Sequence, residues 1–256
     1  MRTLQKVLHT ADPLQKALLT MAPISLAEMD DVALLNRTDT KFIFSRAQLV
    51  PILELLRDDY MILEVDGDRQ IPYSTQYFDT ETLDFFLSHH NGRKNRVKVR
   101  IREYVNSGLQ FLEVKKKKNT GKTEKARIKV TGFNGTLRKE DKAFIQAKYP
   151  QVQRLSNSLN NSFKRITLVH KTRKERFTID CDLAYSSNGK STELPKLVIA
   201  EVKQEKASRN TESVALLKEL GIRSQGISKY CLGIILLKPN LKYNNFKPTQ
   251  RFIENL

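Results

Sequence analysis

The chain of 256 residues contains no tryptophan, two cysteines and four histidines. Two cysteines are too few for the disulfide framework of a small secreted domain, and their spacing does not suggest a metal site. We therefore expect Cys181 and Cys231 to be buried thiols in a reducing compartment. His89 and His90 close a predicted helix, where solvation or stabilisation of the helix end is more typical than catalysis.

Long apolar segments are missing as well. No stretch approaches the ~18 consecutive apolar residues that a membrane-spanning helix requires. The first residues lack the continuous apolar segment and the cleavage site of a signal peptide. The sequence predicts a cytoplasmic protein, and any membrane association is expected to come through a separate protein partner.

Positive charge is what the chain has in excess. It carries 45 Lys and Arg residues against 28 Asp and Glu residues, a net charge of +17, while 39% of its residues are hydrophobic. That hydrophobic fraction is typical of a folded globular chain. The charge indicates a polyanionic partner, which could be a nucleic acid, polyphosphate, a nucleotide or an anionic membrane surface.

The basic residues are most ordered between Arg96 and Lys118, in the sequence RVKVRIREYVNSGLQFLEVKKKK. Side chains of a strand alternate between its two faces. The pattern predicts a hairpin across Asn106-Ser107-Gly108 with one apolar face and one charged face. The residues that share the charged face are Arg96, Lys98, Arg100, Arg102, Phe111, Glu113, Lys115 and Lys117.

A charged strand face is commonly just solvated surface, but four cations in succession are unusual. Neighbours on one face lie roughly 6.6–7 Å apart along the strand. At an effective dielectric near 20, each pair repels by about 2 kcal/mol. A run of this kind is favourable when an anion lies along it. Lys125, Arg127 and Lys129 repeat the alternation and predict a third strand with a cationic face.

The order of elements predicts an α+β fold with a mostly antiparallel sheet. About eight strands are expected to close into a barrel with its charged faces inside and its helices packed outside, the reverse of an ordinary small barrel. Residues 1–24 are interpreted as a lead-in interrupted by Pro13. Residues 25–239 are interpreted as the domain that contains this barrel, with a tunnel through its interior, and 240–256 as a partly disordered or surface-bound tail.

Nine short motifs, in order, resemble the VTC domain, the catalytic module of polyphosphate polymerases. They are RTDTKF, YSTQYFDT, RVKVRIREY, LEVKKK, KARI, KRITL, ERFTIDCDL, IAEVK and SKY. The resemblance implies membership of the triphosphate tunnel metalloenzyme superfamily, whose fold is an antiparallel tunnel lined with Arg and Lys. It also implies transfer of the γ-phosphate of ATP to a growing polyphosphate chain, with Mn²⁺ or Mg²⁺ as cofactor. ATP, pyrophosphate and polyphosphate are the expected partners, and no specific nucleic acid is expected.

The resemblance also assigns roles to residues by motif. The expected catalytic residues are Lys41, Arg100, Arg102, Lys115, Arg165 and Arg176. Further phosphate-binding residues are Arg96, Lys98, Lys125, Arg127 and Lys229. Glu201 of the AEVK motif is the expected metal ligand and Glu113 a weaker one; the alternative for Glu201 is an ion pair with Lys203. Asp180 is expected to orient an arginine rather than to bind metal.

Two departures from the superfamily pattern bear on the activity. The hydrolase branch carries Glu-x-Glu-x-Lys where this chain has Arg37-x-Asp39-x-Lys41, which favours the polymerase branch over tripolyphosphatase chemistry. The regulatory domain and membrane segments of the eukaryotic polymerases are not seen in the sequence. The alternatives are an inorganic triphosphatase or a non-catalytic module that binds polyphosphate or inositol phosphates.

Overall fold

The computed structural model describes residues 12–30, 37–152, 154–205 and 211–256, without the side chains of Asp30 and Arg37. The helices are α1 (Pro13–Thr20), α2 (Leu26–Asp30), α3 (Leu49–Leu56), α4 (Asp84–His90), α5 (Lys139–Lys148), α6 (Glu212–Glu219), α7 (Lys229–Leu237) and α8 (Lys247–Glu254). In these ranges, no helix combines the length and the apolar character needed to cross a membrane.

The strands alternate with these helices along the chain. They are β1 (Ala22–Ile24), β2 (Arg37–Ser45), β3 (Tyr60–Leu63), β4 (Ile71–Asp79), β5 (Arg96–Tyr104), β6 (Leu109–Lys117), β7 (Thr123–Val130), β8 (Ser156–His170), β9 (Glu175–Ser187), β10 (Lys190–Leu194) and β11 (Leu197–Glu205). The predicted α+β class with a large, mainly antiparallel sheet is confirmed.

The sheet is open, so the prediction of a closed barrel is wrong. Its hydrogen-bonded order is β2-β11-β9-β8-β4-β5-β6-β7, with β1, β3 and β10 paired off this path. Within the described strands, no backbone pairing joins β2 to β7. Closing a barrel requires a fixed stagger between the terminal strands in addition to alternating faces. The alternation that predicted a barrel carries no information on that stagger.

The chain forms two compact units. The first falls within Met1–Ile71, Lys164–Asp182 and Pro195–Gly226. Its core lies between the apolar sides of β2, β8, β9 and β11 and the helices α1, α3 and α6. On β11, for example, Val198, Ala200 and Val202 are fully buried. The predicted helices on the apolar face are therefore confirmed for this unit.

The second unit comprises Pro72–Phe163, Leu183–Leu194 and Ile227–Leu256. Its core joins the apolar sides of β4–β7 to α4 and α5. Val97, Val99 and Ile101 of β5 are buried there, as their alternation with the cations predicts. β8 and β9 are long enough to contribute residues to both units.

The structure describes parts of both ends of the chain. Pro13, the predicted interruption of the lead-in, is the first residue of α1, where proline is tolerated because its missing N–H has no partner in the first turn. Asp12 Oδ1 caps that turn by accepting from the Leu14 N–H at 3.2 Å. The predicted tail contains a regular helix, α8. Residues 1–11 of the lead-in lie outside the described part, and the boundaries at 25 and 239 stay predictions.

Candidate functional site

In the second unit, cations of β5, β6 and β7 share one face of the sheet. Backbone register places Lys98, Lys115 and Lys125 side by side across the three strands. One step along, Arg100, Glu113 and Arg127 form the next row. We call this surface the basic face, and its charged residues are Arg96, Lys98, Arg100, Arg102, Glu113, Lys115, Lys117, Lys125, Arg127 and Lys129. The predicted alternation of charged and apolar residues is thus confirmed by the pairing of the strands.

Glu113 is the carboxylate of the basic face and is tightly held by Arg100. Nε and Nη2 of Arg100 both lie 2.6 Å from Glu113 Oε2. Burial alone would raise the pKa of Glu113, but Arg100, Arg102 and Lys115 lower it to about 2. Burial would likewise lower the pKa of Arg100, yet Tyr77 and Glu113 hold it above its ordinary value. The pair stays ionised across the physiological range.

Lys115 has the opposite environment. Its Nζ lies 3.9 Å from Glu113 Oε2, too far for a strong ion pair, and 34% of its side chain is exposed. Burial and the nearby charges of Arg100 and Arg102 lower its pKa to about 6. Without a bound anion, the face therefore holds more positive charge than its own carboxylate can compensate.

The start of α7 contributes to the same unit. Ser228 caps the helix by accepting from the Cys231 N–H at 3.3 Å, and it also accepts from Lys98 Nζ at 2.8 Å. Lys229 follows, with Nζ 4.6 Å from the centre of the Phe163 ring. The α7 N-terminus is anchored by Tyr230, whose hydroxyl donates to the buried Asp79 carboxylate.

One end of the basic face is aromatic. Tyr73 of β4 stacks on Phe163 of β8 with ring centres 5.3 Å apart and planes 2° from parallel. Tyr104 packs against Tyr73 at 5.0 Å and edge-on against Phe111 at 6.0 Å. We call these four rings the aromatic end. Two arginines of the basic face lie over them: Arg102 Cζ is 5.6 Å from the Tyr73 ring centre and Arg127 Cζ is 5.0 Å from that of Phe111.

The first unit has its own charged face, built by β2, β11, β9 and β8. Register pairs Lys41 with Glu201 and Asp39 with Lys203 between β2 and β11. Lys203 is in turn opposite Arg176 of β9. We call this surface the mixed face, and its charged residues are Asp39, Lys41, Arg165, Arg176, Asp180, Glu201 and Lys203.

Glu201 is at the centre of the mixed face. Its Oε2 lies 2.9 Å from Lys203 Nζ, and 23% of its side chain is exposed. Burial would raise the pKa of Glu201, but Lys203, Lys41 and Arg165 together lower it to about 2. Burial lowers the pKa of Lys203, against the opposing effect of Glu201. The carboxylate is therefore ionised and still reachable from solvent.

Arg165 is fixed by a two-point contact. Its Nε and Nη2 donate to the two carboxylate oxygens of Asp180 at 2.6 and 2.8 Å. The Asp180 side chain is 4% exposed and that of Arg165 15%. This fork-to-fork geometry is the strongest form of the arginine–carboxylate pair. Asp180 holds an arginine, as the sequence predicted, and Arg176 Nη2 donates to the Met29 carbonyl at 3.3 Å.

The donor groups present can be tested against a divalent ion. In the described ranges, no cluster of three or more His, Cys, Asp or Glu side chains has the arrangement of a metal centre. Mg²⁺ commonly takes one or two carboxylates and completes its shell with water and substrate phosphate oxygens. An ionised, partly exposed Glu201 meets that requirement, whereas the tightly paired Glu113 would first have to leave Arg100. Of the two predicted ligands, Glu201 fits better.

The matching sequence family is the VTC domain, over residues 36–238. The chain belongs to the VTC-domain family. This confirms the resemblance carried by the nine motifs, and every predicted site residue lies inside the matched segment. No curated protein matches the chain.

Solved structures similar to this VTC-domain chain are distant from it. A proposed adenylate cyclase from Bacillus halodurans is 12% identical, with a TM-score of 0.46, over 75% of this chain and 94% of its own. A proposed adenylyl cyclase from Hippeastrum with a dominant triphosphatase activity is 13% identical, with a TM-score of 0.46, over 76% and 94%. A conserved hypothetical protein from Pyrococcus furiosus is 13% identical, with a TM-score of 0.44, over 77% and 99%.

The predicted site residues lie on the two faces, except Lys229, which lies at the start of α7. Lys41, Arg165, Arg176 and Glu201 lie in the first unit, and the remaining residues lie in the second. The sequence reasoning missed the aromatic end and Tyr77, although β4 (IPYSTQYFD) alternates in the same way as β5. The side chain of Arg37, half of the departure from the hydrolase pattern, lies outside the described part. The metal and phosphate roles stay predictions.

Proposed function

We propose that this VTC-domain chain is an ATP-dependent polyphosphate polymerase-like enzyme, which transfers the γ-phosphate of ATP to a growing polyphosphate chain. The observation that carries the proposal is the basic face. Three adjacent strands present rows of Lys and Arg, and Glu113 is the carboxylate among them. An extended polyanion would relieve the repulsion among these cations, and membership of the VTC-domain family supports phosphate chains as that polyanion.

Phosphoryl transfer depends mainly on positioning and charge neutralisation. Arg100 and Arg102 would grip phosphate oxygens through their planar forks, while Lys98, Lys115 and Lys125 would supply compact charges. On the mixed face, Arg165 would bind phosphate oxygens while Asp180 holds its guanidinium in place. No reaction step requires a covalent bond to the protein.

A divalent ion is part of the proposal. On the mixed face, Glu201 would hold Mn²⁺ or Mg²⁺, and the ion would supply neutralisation of phosphate charge there. Lys203 and Lys41 would keep Glu201 ionised and in place before the ion binds. The proposed partners are ATP and pyrophosphate or polyphosphate. A separate membrane protein is a further proposed partner.

The purified protein with ATP and Mn²⁺, with and without pyrophosphate as primer, tests this proposal. ADP, free phosphate and long-chain polyphosphate are followed separately. We expect ADP to be matched by polyphosphate, and Glu201→Gln to abolish turnover while phosphate binding remains. Glu205→Gln is the matched control, since Glu205 lies on the same strand with 53% of its side chain exposed and pairs only loosely with Lys174 at 3.6 Å.

Two other results would contradict the polymerase proposal. Free phosphate without polymer would identify a triphosphatase. Tight polyphosphate binding with no turnover would identify a binding module. A general nucleic-acid binder would instead gain affinity with duplex length and lose it steeply with salt.

A further inference from the structure

The basic face is chemically different at its two ends. At the Arg96 end, register places Arg96, Lys117 and Thr123 in one row, without an aromatic ring. At the other end, Tyr104 follows Arg102 on β5, and Phe111 is the β6 partner of Arg102. A ligand made of phosphate alone has no use for rings. The aromatic end therefore needs an explanation that the cations do not give.

We infer that the aromatic end is a stacking platform for the base of the nucleoside triphosphate donor. This inference rests on the proposed function for the substrate class and adds where the nucleoside binds. Tyr104 and Phe111 form the contact surface, since both are partly exposed. Tyr73 and Phe163 are buried beneath, at 9% and 3% exposure, and their parallel stacking fixes the platform from below.

The order of side chains along β5 matches the order of groups in a nucleoside triphosphate. Tyr104, Arg102, Arg100 and Lys98 follow one another at roughly 6.6–6.8 Å intervals on one face. A base stacked at Tyr104 and Phe111 directs its phosphate chain to Arg102 and Arg100. The γ-phosphate then points toward Lys98 and Lys115. Inorganic tripolyphosphate bound along the same residues would contact the cations but would make no contact with the rings.

The arginines at the aromatic end serve both parts of such a ligand. Guanidinium groups stack on rings as well as bind phosphate. Arg102 and Arg127 already lie over Tyr73 and Phe111, at 5.6 and 5.0 Å. Arg102 is thereby held where the sugar–phosphate junction would lie. Arg127 would move off the Phe111 ring face when the base stacks there, and would then be available to the phosphates.

A buried hydroxyl lies at the same level. Thr75 is opposite Arg102 in the β4–β5 register and is 1% exposed. Thr75 Oγ1 has no hydrogen-bond partner among the described residues. An unsatisfied buried hydroxyl is costly. Because this oxygen is buried, a ribose hydroxyl or a phosphate oxygen would reach it only after neighbouring side chains move.

The test compares two ligands that differ by the nucleoside. Dissociation constants are measured by calorimetry for a non-hydrolysable ATP analogue with a β–γ imido bridge and for inorganic tripolyphosphate, both with Mg²⁺ at fixed ionic strength. Replacing the rings in Phe111→Leu and Tyr104→Leu should weaken the ATP analogue at least about fivefold each. Tripolyphosphate affinity should stay within about twofold. Phe252→Leu, at an exposed ring of α8, is the control and should change neither.

The absence of tryptophan from the chain offers a second test that does not remove a ring. Phe111→Trp introduces a unique fluorophore on the platform. The ATP analogue should quench it by stacking, and a GTP analogue should do so to a similar extent because stacking tolerates any base. Tripolyphosphate should leave the emission nearly unchanged. This variant keeps the test decisive if either leucine variant fails to fold.

The outcomes separate this inference from the proposed function. Equal weakening of both ligands by the leucine variants, or quenching by tripolyphosphate equal to that by the ATP analogue, would overturn the platform. Selective loss of nucleotide binding in a protein that makes no polymer would support the platform and contradict the polymerase. Polymer synthesis by the wild type, with nucleotide affinity unchanged in the variants, would support the polymerase and contradict the platform.

Discussion

The mixed face of the first unit and the basic face of the second use the same device, a strand with charge on alternate residues, but they balance that charge differently. On the mixed face, Glu201 and Asp180 each hold a cation at 2.9 Å or less. On the basic face, Glu113 holds Arg100 at 2.6 Å, while Lys115 lies 3.9 Å from the same carboxylate. The first arrangement fixes side chains in position. The second leaves an excess of positive charge that a bound anion would neutralise.

This difference concerns function more than stability. A buried ion pair gains little over apolar residues of the same size, but losing one partner is costly because the other charge stays buried. The pairs of the two faces are therefore best understood as positioning devices. Variants of these pairs can separate positioning from stability on each face.

The largest effect is expected when Glu113 loses its arginine. Arg100→Leu should lower the free energy of unfolding by about 3 kcal/mol, the low end of the usual range because Lys115 remains 3.9 Å from Glu113. Turnover should fall at least about a hundredfold, as for loss of a transition-state donor. Urea unfolding and single-turnover kinetics measure the two effects.

The double variant Arg100→Leu, Glu113→Leu is the control for this pair. It removes both charges and should regain most of the stability while turnover stays low. Recovery of activity together with stability would mean that Arg100 serves the fold alone.

On the mixed face, Asp180→Asn should affect activity more than stability. The amide keeps the size of the side chain but weakens the two-point hold on Arg165, so kcat/KM should fall about tenfold. The adjacent Asp182→Asn is the control, because Asp182 is 38% exposed and pairs with Arg46 at the surface. That change should stay within about twofold. Equal losses in the two variants would contradict a positioning role for Asp180.

The charge excess of the basic face predicts that its affinity for tripolyphosphate depends on pH. The pKa of Lys115 is lowered to about 6, so the free protein carries a neutral Lys115 at pH 8 and a bound anion must recruit a proton to it. Tripolyphosphate affinity should fall as pH rises from 6 to 8.5, by at most about tenfold per unit. Calorimetry on wild type and Lys115→Met gives the slope, and the ligand's own ionisation cancels in the ratio. Identical slopes would exclude Lys115 as the group.

The faces could be predicted from sequence, but their closure and pairing could not. A period of two assigned Arg96, Lys98, Arg100 and Arg102 to one side of β5 without any knowledge of neighbours. The Arg100–Glu113 contact required the β5–β6 register. The barrel was inferred from alternation, yet pairing between β2 and β7 depends on twist and stagger accumulated over the whole sheet.

Local composition hides two parts of the sheet from sequence patterns. The first half of β8 reads SNSLNNSF, and Asn is depleted in strands, so pairing with neighbouring strands decides its conformation. β10 cannot be recognised from the sequence because the polar segment KSTEL shows no apolar alternation, yet it pairs with the end of β9. The aromatic end carries no charge pattern, and the alternation of Tyr73, Thr75 and Tyr77 on β4 was the signal that could have indicated it.

The smallest effect is expected at a lysine of β6 that faces away from the basic face. Lys115 and Lys116 are adjacent on β6 but lie on opposite faces, and Lys116 Nζ is 5.8 Å from the Tyr149 ring centre on the helix-packed side. Lys116→Met should change tripolyphosphate affinity by less than about twofold, and stability by about 0.5–1 kcal/mol through the lost cation–ring contact. Lys115→Met at neutral pH should weaken binding several times more, because a phosphate chain on the basic face meets that side chain directly. Titration calorimetry at one ionic strength measures both. Equal losses would mean that affinity follows net charge rather than the face, and the basic face would then be an ordinary solvated surface.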